Sequence, residues 1–144
     1  MLKKKVALQE IAGIAALLMF MAAPLSQAAG VSPETVAGAT TVDGAKAKAL
    51  FDKGVQFIDT RSDKDWNAGR VPGAKHIDVE KPGFTEAALG KLAKKDQEVV
   101  MYCNGVSCPR SSMASEKAVS WGYKKVYYYR LGFPDWKAAG YPTE

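Results

Sequence analysis

The sequence predicts an α/β domain with a central parallel sheet of about five strands and helices on both faces. Strand and helix signals alternate from residue 42 onward, the pattern of a parallel sheet covered on both sides. Glu98-Val99-Val100-Met101-Tyr102 is an apolar, β-branched run without polar alternation, as expected of a strand buried on both faces. It passes into a Gly/Ser/Pro loop, Cys103 to Pro109, and then into helical periodicity. In such sheets ligands sit beyond the carboxyl ends of the strands, so the position of Cys103 marks the expected site.

The elements follow in order. Residues 29–41 are small, polar and Pro/Gly-containing and read as a flexible N-terminal segment, leaving 42–144 as the domain. Asp43 caps a helix through Lys53, with Leu50 and Phe51 inward and Gly54 stopping it. Val55 to Ile58 is a short strand ending at Asp59. Ser62 to Asn67 is a short capped helix ended by Gly69. Val71-Pro72-Gly73 turns the chain into a brief strand, Lys75 to Ile77. Thr85 caps a helix to Lys95 that turns Ala88, Leu89, Leu92 and Ala93 to one side, with Gly90 weakening it. The strand Glu98–Tyr102 and its loop lead to a helix from Arg110 to Trp121, with Ala114 and Ala118 at helical spacing and Gly122 at its end. Val126 to Tyr129 is the next strand, and a short helical piece around Asp135–Ala138 closes the tail.

Residues 1–28 are expected to be an export signal. Lys3-Lys4-Lys5 is a positive start, Ile11 to Leu25 is a nearly unbroken apolar run, and Ser26 and Ala28 fit a small-x-small cut between Ala28 and Ala29. A membrane span needs about 20 apolar residues, more than Gln9-Glu10 and Pro24 leave between them. The expected location is therefore periplasmic or secreted, with no stable membrane anchor after cleavage. The whole chain carries 20 Lys and Arg against 15 Asp and Glu, a net charge of +5. Removing residues 1–28 takes away three Lys and one Glu and leaves a surplus of only three. Lys91, Lys94 and Lys95 read as a solvated helix face, and no basic footprint for nucleic acid remains. Two cysteines and one histidine cannot complete a four-ligand zinc site, and no metal or cofactor is expected.

The chemistry concentrates in one loop. A strand that ends at a cysteine, crosses Asn104-Gly105-Val106-Ser107-Cys108-Pro109 and enters a helix is an anion-binding device. Loop N–H groups converge, and the helix N-terminus adds partial positive charge. A thiol at its start is favoured as thiolate and needs no separate base. Arg110 adds a fixed charge suited to an oxyanion, and Ser107, Ser111 and Ser112 add hydroxyl donors. The competing reading of Cys103 and Cys108 is a structural disulfide, which does not need this architecture.

Four stretches, spanning most of residues 42–142, resemble a single-domain rhodanese, the sulfurtransferase family. They are Ile58-Asp59-Thr60-Arg61 with Asp65-Trp66; Gly69 to Ile77, with Arg70 where His is commoner; Val99 to Ser112; and Gly132-Phe133-Pro134-Asp135-Trp136 with Gly140-Tyr141-Pro142, where Leu131 replaces a frequent Gly. The resemblance implies that Cys103 takes the outer sulfur of thiosulfate or a polysulfide as a persulfide. The sulfur then passes to cyanide, a thiol or an acceptor protein. It implies that Asp59 and Arg61 brace the loop and the sheet edge. The loop departs from the pattern. It is about two residues longer than the common sulfurtransferase loop, and six residues separate Cys103 from Arg110, which also misses the Cys-x5-Arg spacing of phosphatase relatives.

Pro109 biases Cys108 toward extended backbone, so its thiol faces either into the cradle, as a thiol able to resolve a persulfide, or outward as a bystander. Two further readings stay open: a thiol–disulfide module using Cys103 and Cys108, and a non-catalytic polysulfide-binding or adaptor protein. His76, the Tyr127-Tyr128-Tyr129 run and Trp66, Trp121 and Trp136 read as structural.

Overall fold

The computed structural model describes residues 30–144. The expected export segment and its cut before Ala29 lie outside the described residues. The elements are β1 (Ala39–Thr41), α1 (Gly44–Asp52), β2 (Gln56–Asp59), α2 (Asp63–Asn67), β3 (Lys75–His76), α3 (Glu86–Leu92), β4 (Glu98–Tyr102), α4 (Arg110–Ser120), β5 (Lys125–Tyr129) and α5 (Gly132–Ala138). All strand pairs are parallel, in the order β1-β5-β4-β2-β3. The run that reads as most buried, β4, is the central strand.

The period-2 alternation of β4 divides the core. Val100 and Tyr102 face a cluster with Leu50, Phe57, Tyr129, Phe133 and Trp136. Val99 and Met101 face the opposite cluster with Ile58, Leu89, Ala114, Ala118 and Val126. A fully buried side chain of this size contributes about 1.5–3 kcal/mol, so β4, with burial continuous from Val99 through Cys103, is a stiff mount for the loop at its carboxyl end.

Local signals place the helices. Oδ1 of Asp43 accepts from the Lys46 N–H at 2.8 Å, Ser62 Oγ from Asp65 at 3.3 Å and Thr85 Oγ1 from Ala88 at 3.2 Å. These are N-cap bonds that occupy otherwise orphan donors. Helix α4 differs: Pro109 sits at its N-cap and no side chain caps it, which leaves first-turn N–H groups free for the loop.

The structure corrects three expectations. Residues 30–41 are not a flexible entry. They supply edge strand β1, and Ser32 and Val36 are buried. Tyr128 Oη donates to the Pro33 carbonyl at 2.9 Å, and Arg130 Nη2 to the Ser32 carbonyl at 2.9 Å. Partners almost a hundred residues away hold a segment with no strong local signal. Helix α3 stops at Leu92 because Ala93 takes extended backbone, so Lys94 and Lys95 lie beyond it. Helix α5 begins at Gly132, three residues before Asp135, and seats Phe133 and Trp136 in the core.

Candidate functional site

Cys103 is the first residue after β4 and is fully buried. The backbone before it is clamped: the Tyr102 carbonyl accepts from Thr60 N–H at 3.1 Å and Thr60 Oγ1 at 2.9 Å. The Cys103 carbonyl accepts from Phe133 N–H at 2.9 Å, at the start of α5. That approach requires Gly132. Its φ is +65°, and a Cβ there would lie 2.3 Å from the Cys103 carbonyl oxygen and 2.9 Å from the Gly105 nitrogen. Gly105 itself has φ +103°, and its carbonyl accepts from Cys108 N–H at 3.0 Å. This turn brings residue 108 back over residue 103.

Beneath the loop, Asp59 and Arg61 form a buried bidentate pair, with Nε to Oδ1 at 2.9 Å and Nη2 to Oδ2 at 2.6 Å. Arg61 Nη2 also donates to the Gly69 carbonyl at 2.6 Å, and its guanidinium lies 4.4 Å from the Phe133 ring centroid. Tyr102 Oη donates to Asp59 Oδ2 at 2.7 Å and accepts from Val71 N–H at 3.2 Å. The two charges satisfy each other and join β2, β4 and α5 beneath the loop, a bracing position away from Cys103. His76 Nε2 bonds the Arg61 carbonyl at 2.9 Å, and its ring stacks on Trp66; this is a structural arrangement.

The loop's side chains divide into three groups. Asn104 Nδ2 donates to Asp65 Oδ2 at 3.0 Å, and that bond, with Ser62, holds the Asp65 carboxyl below its ordinary range. Val106 is exposed, but its carbonyl accepts from Ser32 N–H at 2.6 Å and Ser32 Oγ at 2.9 Å. Ser107 is exposed at the outer turn. Ser111 is buried, and its N–H donates to Cys103 Sγ at 3.4 Å while its Oγ lies 3.2 Å from the same sulfur. Ser112 Oγ instead bonds the Pro109 carbonyl at 2.8 Å. Arg110, expected to offer its charge to an oxyanion, is paired with Glu80 from the segment between β3 and α3.

The two thiols are both free, and Cys103 Sγ donates to the Cys108 carbonyl at 3.3 Å. The Cys108 thiol acts on the Cys103 sulfur, which fits the inward orientation of the two the sequence allows. Cys108 is lowered to about 6 because Cys103 donates to it, while Asn104 and Arg110 N–H groups and the Arg110 charge also favour its thiolate against burial. Cys103 is correspondingly pushed up by Cys108 and by burial, against the two Ser111 donors. Sequence reasoning expects the loop amides to act on Cys103. In the structure the Ser111 N–H donates to Cys103, while the Asn104 and Arg110 amides favour the Cys108 thiolate.

The Rhodanese-like domain family profile matches residues 43–139, two thirds of the chain. The chain belongs to the rhodanese-like domain family. It is similar to the thiosulfate sulfurtransferase GlpE of Pseudomonas fluorescens, with 34% identity over 99 residues, covering 68% of this chain and 84% of that protein. It is also similar to the putative sulfur carrier protein YrkF of Bacillus subtilis, with 28% identity over 96 residues, 67% of this chain and 49% of that one. Among solved structures, the human single-domain sulfurtransferase TSTD1 matches with a TM-score of 0.59 at 26% identity, covering 69% of this chain and 96% of that one.

Within this rhodanese-like domain, four supporting residues escape sequence reasoning as site components: Ser32, Asp65, Glu80 and Gly132. Gly132 and Asp65 lie in stretches the family resemblance already marks, but their contacts to the loop are visible only in the fold. Ser32 and Glu80 carry no local signal. Among the described residues no three His, Cys, Asp or Glu side chains group as metal ligands.

Proposed function

We propose that this protein is an exported sulfurtransferase that carries sulfane sulfur as a persulfide on Cys103. The observation that carries the reading is Cys103 at the end of the central strand of a rhodanese-like domain, with Ser111 N–H donating to its sulfur and Ser111 Oγ 3.2 Å from it. Similarity to a thiosulfate sulfurtransferase and to a putative sulfur carrier supports the same chemistry.

Cys103 gives its proton to Cys108, the more acidic thiol, and reacts as the thiolate, which Ser111 N–H and Oγ–H stabilise. Cys103 thiolate attacks the outer sulfur of thiosulfate. A Cys103 Sγ–S bond forms, the donor S–S bond breaks, and its electron pair leaves with sulfite. A polysulfide donor reacts in the same way and expels a shorter chain. The persulfide then gives its outer sulfur to cyanide, a thiol or an acceptor protein, which restores the Cys103 thiolate. Export rests on residues 1–28, and an N-terminus at Ala29 in protein recovered from outside the cytoplasm checks it.

Thiocyanate production from thiosulfate and cyanide tests the activity. Wild type forms thiocyanate and Cys103→Ser forms none above background. Equal rates in the two proteins would refute the reading.

A further inference from the structure

Cys108 is placed to do more than share a proton. The turn closed by Cys108 N–H on the Gly105 carbonyl folds residue 108 over residue 103. Cys103 Sγ lies 3.3 Å from the Cys108 carbonyl oxygen, so residue 108 is the loop residue folded against the sulfur. Cys103 is fully buried, while Cys108 is only half-buried. An outside nucleophile must therefore approach a Cys103-bound sulfur past residue 108, which carries a second thiol. A thiol held on the same loop reacts intramolecularly, at an effective concentration far above that of a dilute acceptor.

We propose that Cys108 is a resolving thiol: it attacks Sγ of the Cys103 persulfide, expels hydrosulfide and leaves a Cys103–Cys108 disulfide. The proposal rests on the reading of Cys103 as the sulfur carrier. In the step, the protonated persulfide Cys103–S–SH meets Cys108 thiolate. The Cys103 Sγ–Cys108 Sγ bond forms, the Cys103 Sγ–S bond breaks, and its electron pair leaves with HS⁻. The sulfane sulfur is reduced to sulfide, and the two cysteines are oxidised to the disulfide. A dithiol reductant returns the pair to two thiols and is itself oxidised to its disulfide. The chemistry of the donor set favours this direction. Cys108 is the more ionised sulfur, held by the Asn104 and Arg110 amides, and thiolate attack on a sulfur–sulfur bond needs the ionised form. The class of acceptor is thereby named: the sulfur leaves as sulfide at the cost of one dithiol per turnover.

The test exposes the full domain to thiosulfate without oxygen and follows intact mass and free sulfide. Wild type is expected to become about 2 Da lighter, the mass of a disulfide, and to release one sulfide per chain; dithiothreitol restores it for another round. Cys108→Ser and Cys108→Ala are expected to stop at about 32 Da heavier, one added sulfur, and to release sulfide only when an outside thiol is added. Wild type that stays about 32 Da heavier without releasing sulfide overturns the resolving role and leaves sulfur carriage by Cys103 standing. Peptide mapping that finds the sulfur on Cys108 overturns it equally. If neither wild type nor either Cys108 variant gains sulfur or loses two hydrogen atoms, the carrier reading itself fails, and this proposal with it.

Discussion

Behind Cys103, Asp59, Thr60, Arg61 and Tyr102 are all buried and bonded to one another or to the strand ends. In front of it, Asn104, Val106, Ser107 and Pro109 are exposed, and that half of the loop is tied down by contacts from Ser32, Asp65 and Glu80. The inner wall fixes where a sulfur can be attached. The outer loop governs what reaches it, and with few buried contacts it belongs to the part of the fold that opens at low cost. The two cysteines sit one on each side of that division. A buried thiol on a rigid strand is paired with a more exposed thiol on an adaptable turn.

The contrast can be broken hardest from the inside. Arg61→Ala leaves Asp59 buried without its partner, and removing one member of a buried pair costs about 3–5 kcal/mol; chemical denaturation is expected to show that loss. Gly132→Ala forces a Cβ against the Cys103 carbonyl at a positive φ. The expected cost is about 1–3 kcal/mol, with a loss of sulfurtransferase rate that stability alone does not account for, measured at a temperature where the variant is folded. Ser111→Ala removes the hydroxyl beside the Cys103 sulfur. A hydrogen bond to a charged group is worth about 1.5–3 kcal/mol, so the rate of persulfide formation is expected to fall by about tenfold to a hundredfold in stopped-flow measurements.

Perturbing the outer loop gives smaller effects. Wild-type alkylation should rise as pH passes through about 6, where the pair first ionises. In Cys103→Ser and Cys108→Ser the partner thiol is gone, and the rise is expected at higher pH, toward the ordinary thiol range near about 8.5. Coincident profiles for all three proteins would show that the thiols do not interact. Glu80→Gln releases Arg110 from its surface pair. Such pairs are worth about 0.2–1 kcal/mol, so KM for thiosulfate is expected to fall by up to about fivefold while kcat changes little.

Much of this division is legible in the sequence, for physical reasons that differ by residue. Val99 to Tyr102 reads as a buried strand because every residue there is committed to one core face or the other, and that places Cys103 at a strand end. Asp43, Ser62 and Thr85 read as caps because a cap bond spans only three residues. The bracing role of Asp59 and Arg61 is legible through the family resemblance. Strand β1 is not legible: Ala-Thr-Thr has weak patterning, and its anchors, Tyr128 and Arg130, lie at the other end of the chain. The Arg110–Glu80 pair and the inward turn of Cys108 are hidden for a related reason. Loop spacing limits which groups can meet, but it does not say which hydrogen bonds the closed loop selects.

The most direct test follows the sulfur atom itself. Cys108→Ser protein is given one equivalent of thiosulfate labelled in its sulfane sulfur and then digested for peptide mass spectrometry. The account predicts one labelled sulfur per chain, on the peptide carrying Cys103, with release of one sulfite. Label that remains in thiosulfate, or that settles on any residue other than Cys103, would contradict it.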